Sequence, residues 1–285
     1  MLVIIGTVPD PSFPLVSAQV TLQGDQLVMQ RHSVPVHRGT PALIGAAAQV
    51  AMATGQPAPH AILVGDTGLG HGSRNLYAYL TDHIQELEAT TIVFHYLQPD
   101  VDWHNRVLMA LEECIHRPRL IADAGFMYAA KMSGFASSYD LFTPDMGELA
   151  FLADETAPHP FYTRGFILHD NNKAPDLITR AYTHDNAARH LLVKGATDMF
   201  ATKKGVHWTI DSPSTQAMEA IGGTGDTLTG MASFFIDEEA SIEDACKKAA
   251  SANRWAGKLT QPTPATQVME IIQNIPKALE KIYNK

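Results

Sequence analysis

The sequence predicts an α/β fold in three layers, with a mainly parallel sheet covered by helices on both faces. Two patterns predict it. From about residue 40 onward, short apolar runs such as "AILVGD", "TIVFHY" and "HLLVKG" alternate with longer helical segments. Strand–helix repetition of that kind builds parallel sheets with both faces covered. The runs are also continuously apolar, as strands buried on both faces require. With 285 residues, 45% of them hydrophobic, the chain can bury one large core. No linker or low-complexity tract divides it, so a single domain over 1–285 is expected.

The opening segment, residues 1–37, reads differently. "MLVIIG" is a strand, and "SAQVTLQ" and "QLVMQRH" follow around Gly24-Asp25, a turn dipeptide. "PALIGAAAQVAMATG" is a helix started by proline and ended by glycine. "AILVGD" is then a strand, followed by a glycine-rich loop and the helix "SRNLYAYLTDHI". Next come strand "TIVFHY", helix "DWHNRVLMALEECI", strand "RLIAD", a short helix, strand "YDLFT" and helix "DMGELAFLA". A less regular stretch leads to helix "APDLITRAYTHDNAA" and strand "HLLVKG". "MFATKKGVHWTID" is a hairpin turning at Lys204-Gly205. Three helices finish the chain: "TLTGMASFFI", "SIEDACKKAASANRWAGKL" and "ATQVMEIIQNIPKALEKIY".

Composition narrows the partners. A formal net charge of −9 argues against a nucleic-acid or anionic-membrane surface. Helix termini and a few lysines still permit a small anionic ligand. Cys114 and Cys246 form no spaced motif and read as structural thiols in a reducing compartment. The apolar start is too short for a signal peptide, and no stretch is long enough to span a bilayer. A cytoplasmic protein is expected.

Ligands in doubly covered parallel sheets bind beyond the carboxyl ends of the strands, and five segments at or near strand ends hold candidates. "VGDTGLGHGSR", Val64 to Arg74, is either a backbone-lined ligand wall or a flexible connection. In "IADAG", Asp123 is either a helix N-cap or a site acid. In "FTPDMGE", Asp145 and Glu148 stand one turn apart at a helix start. That spacing suits a hydrated Mg²⁺, and it suits a capping arrangement equally well. In "LLVKGATD", Lys194 at a strand end can neutralise a phosphate or simply be solvated. "AIGGTGDTLTG" crowds Gly222, Gly223 and Gly225 before a helix. Its free amides and dipole make an anion site, unless the glycines only turn the chain.

Other chemistries lack their motifs. The 13 histidines show no HxxxH, HxH or Cys/His spacing, so His95, His104, His159 and His169 read as surface or core residues. There is no nucleophile elbow, Walker A loop or GxGxxG after the first strand.

Taken in order, these segments resemble the ribokinase-like superfamily, and within it the ADP/ATP-dependent NAD(P)H-hydrate dehydratases. The family pairs a strand ending in Lys-Gly, a hairpin, and a Gly-Thr/Ser-Gly-Asp loop opening a helix with a further glycine. Here these are Lys194-Gly195, Lys204-Gly205, Gly223-Thr224-Gly225-Asp226 and Gly230. "IADAGFM", "FTPDMGE" and "VGDTGLG" are similar to its Asp-Ala, Thr-Pro-His-x-Gly-Glu and Gly-Pro-Gly-Leu-Gly segments. The resemblance runs from about residue 40 to 260 and is less clear over 1–37.

The resemblance implies a ribokinase-like fold and a reaction. The nucleotide, ADP or ATP with Mg²⁺, phosphorylates the hydroxyl of hydrated NADH or NADPH, and phosphate then leaves to restore the reduced cofactor. Gly223, Thr224 and Gly225 would cradle the phosphoryl group and Asp226 would take the hydroxyl proton. Lys194, Gly195, Ala196, Thr197 and Asp198 would contact the nucleotide, and Ala42, Gly68, Asp145 and Asp226 the hydrate. Asp145 and Glu148 would help to order Mg²⁺. The resemblance further implies a homo-oligomer, and an epimerase as a separate protein.

Two departures qualify that reading. The family's histidine is Asp145 here, where related vitamin kinases carry asparagine, which leaves a small-molecule kinase as the alternative. Asp66 also enters the glycine-rich loop, where it would reshape the substrate-side wall or repel a phosphate-rich ligand.

Overall fold

β1 (Leu2–Val8) is buried along all seven residues, which requires neighbours on both edges and layers on both faces. A computed structural model, describing residues 1–156 and 173–283, supplies both. β1 pairs in parallel with β6 (His60–Gly65) on one side and β7 (Thr91–His95) on the other. Beyond β7 the parallel order continues through β8 (Arg119–Ala122), β9 (Leu141–Phe142) and β10 (His190–Val193). The hairpin of β11 (Asp198–Thr202) and β12 (Gly205–Ile210) closes that edge antiparallel. β2 (Val16–Gln19) closes the other against β6. Residues of β1 alternate between two cores, Ile4 facing one and Val3 and Ile5 the other.

The first face is covered by α1 (Thr40–Thr54), α7 (Thr224–Glu238), α8 (Ile242–Thr260), α9 (Val268–Ile272) and α10 (Ile275–Tyr283). The second is covered by α2 (His71–His83), α3 (Val101–Glu112), α4 (Phe126–Met132), α5 (Met146–Ala153) and α6 (Ala174–Thr183). The three-layer expectation is therefore met. The chain leaves β1 for β6 on one side and returns through β7 on the other, so the order reverses at β1. A crevice for ligands opens at such a reversal, beyond the strands' carboxyl ends.

Several local expectations need correction. "SAQVTLQ" is not one strand. Val20 turns its amide to the Pro59 carbonyl, and the chain passes from β2 into a separate three-stranded sheet of β3 (Thr21–Gln23), β4 (Gln26–Met29) and β5 (His32–Pro35). Gly24-Asp25 does make the turn between β3 and β4. The β11–β12 turn falls on Lys203-Lys204, and Gly205, at φ 109°, opens β12. The last predicted helix divides into α9 and α10 because Pro276 has no N–H to continue the ladder and restarts the helix at its first turn. Cys114 lies just past α3, and Cys246 is buried in α8. His159 and His169 lie outside the described residues.

One contact positions the site more than any other. α1 and α7 cross so closely that a Cβ on Gly230 would stand 2.1 Å from the Leu43 carbonyl oxygen. Only glycine admits that approach, and the contact is backbone, which cannot move aside. Gly230→Ala is expected to cost about 1–3 kcal/mol, the usual penalty of overpacking. Urea unfolding at constant m-value measures it.

Candidate active site

The strand ends deliver their charged residues to the crevice in sequence. Asp66 follows β6, His95 ends β7, Asp123 follows β8, Asp145 lies three residues past β9, and Lys194 follows β10. Opposite them, the amino ends of α1 and α7 point inward with Gly39 and Gly223–Asp226.

Asp226 stands where these elements converge. Its Oδ2 accepts the Gly39 amide at 2.7 Å, a contact spanning 187 residues. Its Oδ1 lies 3.1 Å from His95 Nε2. His95 is fully buried, and its Nδ1 lies 2.9 Å from the Thr40 hydroxyl. Gly6 makes room for this chain: a Cβ there would come within 2.7 Å of Thr40 and 2.5 Å of the His95 carbonyl. Burial works to raise the Asp226 pKa. The His95 hydrogen bond, Lys194 and the Gly39 amide outweigh burial and hold the carboxyl below the usual range. Asp226 is thus an ionised acceptor with side-chain exposure of 14%, which suits a base.

Lys194 donates to both oxygens of the buried Asp123, at 2.9 and 2.8 Å. Thr229 from α7 adds a bond to Asp123 at 2.7 Å. Burial acts to depress the lysine, but Asp123, Glu148 and Asp226 hold its pKa above the ordinary value. The ammonium stays charged beside Gly225, where even an added Cβ would stand only in ordinary contact, 3.6 Å from the lysine stem. The first amides of α7 lie beyond the reach of any carbonyl of their own helix. Together with Lys194 they make a cradle for an anion. Gly223 enters it at φ 102°, a conformation that favours glycine.

The loop after β10 is held from behind. Arg254 of α8 bonds Asp198 at 2.8 Å and the carbonyls of Gly195 and Ala196 at 3.0 and 2.9 Å. Asp198 also accepts the Gly195 amide. Burial raises the Asp198 pKa, and Arg254 offsets that in part. Its carboxylate shapes the loop from inside.

Asp145 and Glu148 form a capping box on α5: Asp145 Oδ1 accepts the Glu148 amide and Glu148 Oε2 accepts the Asp145 amide, both at 2.8 Å. Glu148 Oε1 accepts the Tyr128 hydroxyl at 2.7 Å. Both Glu148 oxygens are therefore engaged, whereas Asp145 Oδ2 accepts no hydrogen bond from the described residues.

Two cavities meet over this assembly. The larger, ≈ 780 Å³, is lined by Lys194, Gly195, Ala196, Asp198, Gly223–Asp226, Asp145 and Glu148. The smaller, ≈ 620 Å³, is lined by Arg38, Thr40, Asp66, Gly68 and Gln98 among others. Tyr96, Ala124, Gly223 and Asp226 border both. Two sequence candidates stand apart. Thr197 lines neither cavity, and Ala42 is fully buried behind Gly223. Asp66 lines the smaller cavity and is held by its own loop. It accepts the amides of Gly68, Gly70 and Ser73 and the Ser73 hydroxyl. Burial pushes against its ionisation, but those four donors lower its pKa.

Four contributors were missed from the sequence. His95 looked like a core residue because its partners, Thr40 and Asp226, lie far away along the chain. Gly39, Arg254 and Thr229 likewise belong to no local motif. His95, Asp123 and Asp226 each bring one ligand-type atom within 4.8 Å of the others. Lys194 already neutralises Asp123 and His95 bonds Asp226, so the cluster is a hydrogen-bonded assembly rather than a metal cage.

Burial, and then Asp145, push the Glu148 pKa up to about 8, with Lys194 opposing. A raised folded-state pKa contributes stability that is complete below the ordinary value of 4.5 and is lost as pH rises through 8. Glu148→Gln has no proton to lose. Its amide can accept from Asp145 and donate to Tyr128. Its Tm advantage over the parent is therefore expected to grow across that window, as differential scanning calorimetry at several pH values would read.

Comparison with known proteins accords with this geometry. A family model described as NAD(P)H-hydrate dehydratase, of the carbohydrate-kinase type, matches residues 100–277, more than half of the chain. Ala42 and Gly68 precede the matched span. An uncharacterized protein of Methanocaldococcus jannaschii is 41% identical over 220 residues, covering 77% of this chain and 90% of its own. A ribokinase-like superfamily protein from Enterococcus faecalis superposes with a TM-score of 0.61 at 16% identity, over 98% of this chain and 86% of its own. Bacillus subtilis YxkO, of the UPF0031 family, gives 0.58 at 16% identity, over 99% and 91%. Pyridoxal kinase from Staphylococcus aureus gives 0.59 at 13% identity, over 90% and 87%. With its three layers, its glycine-opened α7 and Asp226 between two cavities, the chain belongs to the NAD(P)H-hydrate dehydratase family of carbohydrate-kinase-like proteins, on a ribokinase-like fold.

Proposed function

We propose that the protein dehydrates NAD(P)H hydrate at the expense of ADP or ATP. The observation that carries this is the junction of two cavities at one ionised carboxylate. A nucleotide in the larger cavity would set its terminal phosphate against the α7 amides and Lys194. The hydrate in the smaller cavity would turn its C6 hydroxyl toward Asp226. Asp226 takes the hydroxyl proton, the oxygen attacks the terminal phosphorus, and the bridging P–O bond breaks toward the departing nucleotide. The C6–O bond then breaks as phosphate leaves with its electron pair, and loss of a C5 proton restores the dihydropyridine ring. Fixed amides and a fixed ammonium favour the phosphoryl charge as it develops, without reorganising solvent.

Asp145 has one carboxylate oxygen to offer Mg²⁺ through water, and Glu148 keeps it in place through the capping box. Mg²⁺ would supply charge neutralisation at the phosphates. The larger cavity fits a nucleotide chemically because its anion donors are built in and its buried acids Asp123, Glu148 and Asp198 are paired or hydrogen-bonded.

A small-molecule kinase remains the second reading, favoured by Asp145 at the family's histidine position. The S. aureus pyridoxal kinase, similar in fold, is described in complex with AMP-PCP and pyridoxal. The readings differ in product: a phosphorylated acceptor or regenerated reduced cofactor.

The deciding experiment supplies the S form of NADH hydrate, Mg²⁺ and ADP or ATP, and follows the absorbance of reduced nicotinamide. A nucleotide-dependent rise is expected, with Asp226→Asn lowering kcat about a hundredfold to ten-thousandfold. A flat trace from folded, nucleotide-binding protein would overturn the dehydratase reading. Arg38 is the only lysine or arginine lining the smaller cavity, and it makes no hydrogen bond or ion pair with the described residues. Arg38→Ala is expected to raise the hydrate KM roughly tenfold or more while leaving the nucleotide KM unchanged.

A further inference from the structure

We infer that His95 is a positioning residue for the base: its Nε2–H holds Asp226, and the Thr40 hydroxyl fixes the tautomer that makes this possible. The inference rests on the proposed role of Asp226.

The geometry is specific. Histidine in its neutral form has one donor nitrogen and one acceptor, and the partner of each selects which is which. Asp226 Oδ1, at 3.1 Å, only accepts when ionised. Nε2 must therefore carry the proton, and Nδ1 accepts from Thr40 at 2.9 Å. Thr40 stands beside Pro41 in the first turn of α1, so the ring is referred to a rigid helix. The room for Thr40 depends on Gly6 at the centre of the sheet.

The surroundings reinforce one orientation. Asp123 stands 3.9 Å from the same Nε2, but its oxygens accept from Lys194, Thr229 and the Ala124 amide. The Tyr96 ring packs edge-on against the imidazole at 4.3 Å between centroids. Around Asp226 stand the His95 hydrogen bond, the Lys194 ammonium and the Gly39 amide. Each Asp226 oxygen has one protein donor and keeps a lone pair for the incoming proton. His95 thus aims the carboxylate at the cavity junction, and its hydrogen bond keeps that carboxylate ionised.

The first test is independent of turnover. Nitrogen-15 histidine spectra of the intact protein are expected to show His95 as the Nε2–H tautomer, and an Nδ1–H tautomer would overturn the assignment. The second is kinetic. His95→Ala is expected to lower kcat by roughly a hundredfold, as a misdirected reacting group does, with both KM values nearly unchanged. It should also move the acid limb of the kcat/KM profile to higher pH, because the lost bond had favoured the ionised form. His95→Gln, which can still donate, should recover part of both effects. A fall in kcat with the acid limb unmoved would reduce His95 to a structural role. Should His95→Ala fail to fold, Thr40→Val removes only the tautomer-fixing hydroxyl and should shift the limb in the same direction. If Asp226→Asn were fully active, the base assignment itself would fail, whereas the tautomer reading would still report on the His95–Asp226 bond.

Discussion

The close crossing of α1 and α7 is the constraint on which the site depends. At Gly230 the two helix backbones touch, and neither can retreat without opening the core they share. Their amino ends therefore arrive at the same place, above the carboxyl end of β7. One brings Gly39 and Thr40, and the other brings the glycine cradle and Asp226. The amide of Gly39 reaching Asp226 across 187 residues is a consequence of that crossing. A loop-borne acid would lack the same definition, since the position of Asp226 is inherited from two packed helices.

The second organising principle is charge pairing at the strand ends. Burying several carboxylates in one crevice is costly unless each finds donors. Asp123 is matched by Lys194 and Thr229, Asp198 by Arg254, Asp66 by its own loop amides, and Glu148 by the Asp145 amide and Tyr128. Asp226 is the exception in kind. It is satisfied from two sides, yet it borders both cavities and can still accept. The crevice thus contains many acids and one that borders both cavities with accepting capacity left. Burial pushes Glu148, alone among these acids, well toward its neutral form.

The three-layer fold was legible because continuous apolar strands and alternating helices report burial directly. The glycine loop before α7 and the strand-end Lys194 were legible for the same reason, since chemistry and chain order coincide there. Asp145 and Glu148 were seen as a pair with a capping arrangement as one reading, which the capping box bears out; the Tyr128 hydroxyl on Glu148 comes from α4, which a spacing cannot encode. Ala42 was named as a substrate contact from the family resemblance; packing turns it inward, behind Gly223. The placement of Asp66 was set by loop conformation, because positive-φ glycines at 68 and 70 curl their amides onto the carboxylate.

By itself the sequence determined most of the elements, their succession along the chain, and the residues that stand at strand ends. Those properties are local, set by periodicity, capping and turn chemistry within a few residues. Only the tertiary structure decided that His95 belongs to Asp226, that Arg254 supports the loop after β10, and that two cavities share Asp226. Each of those facts joins residues far apart along the chain. Their proximity arises from helix crossing and strand order, which no short window of sequence contains.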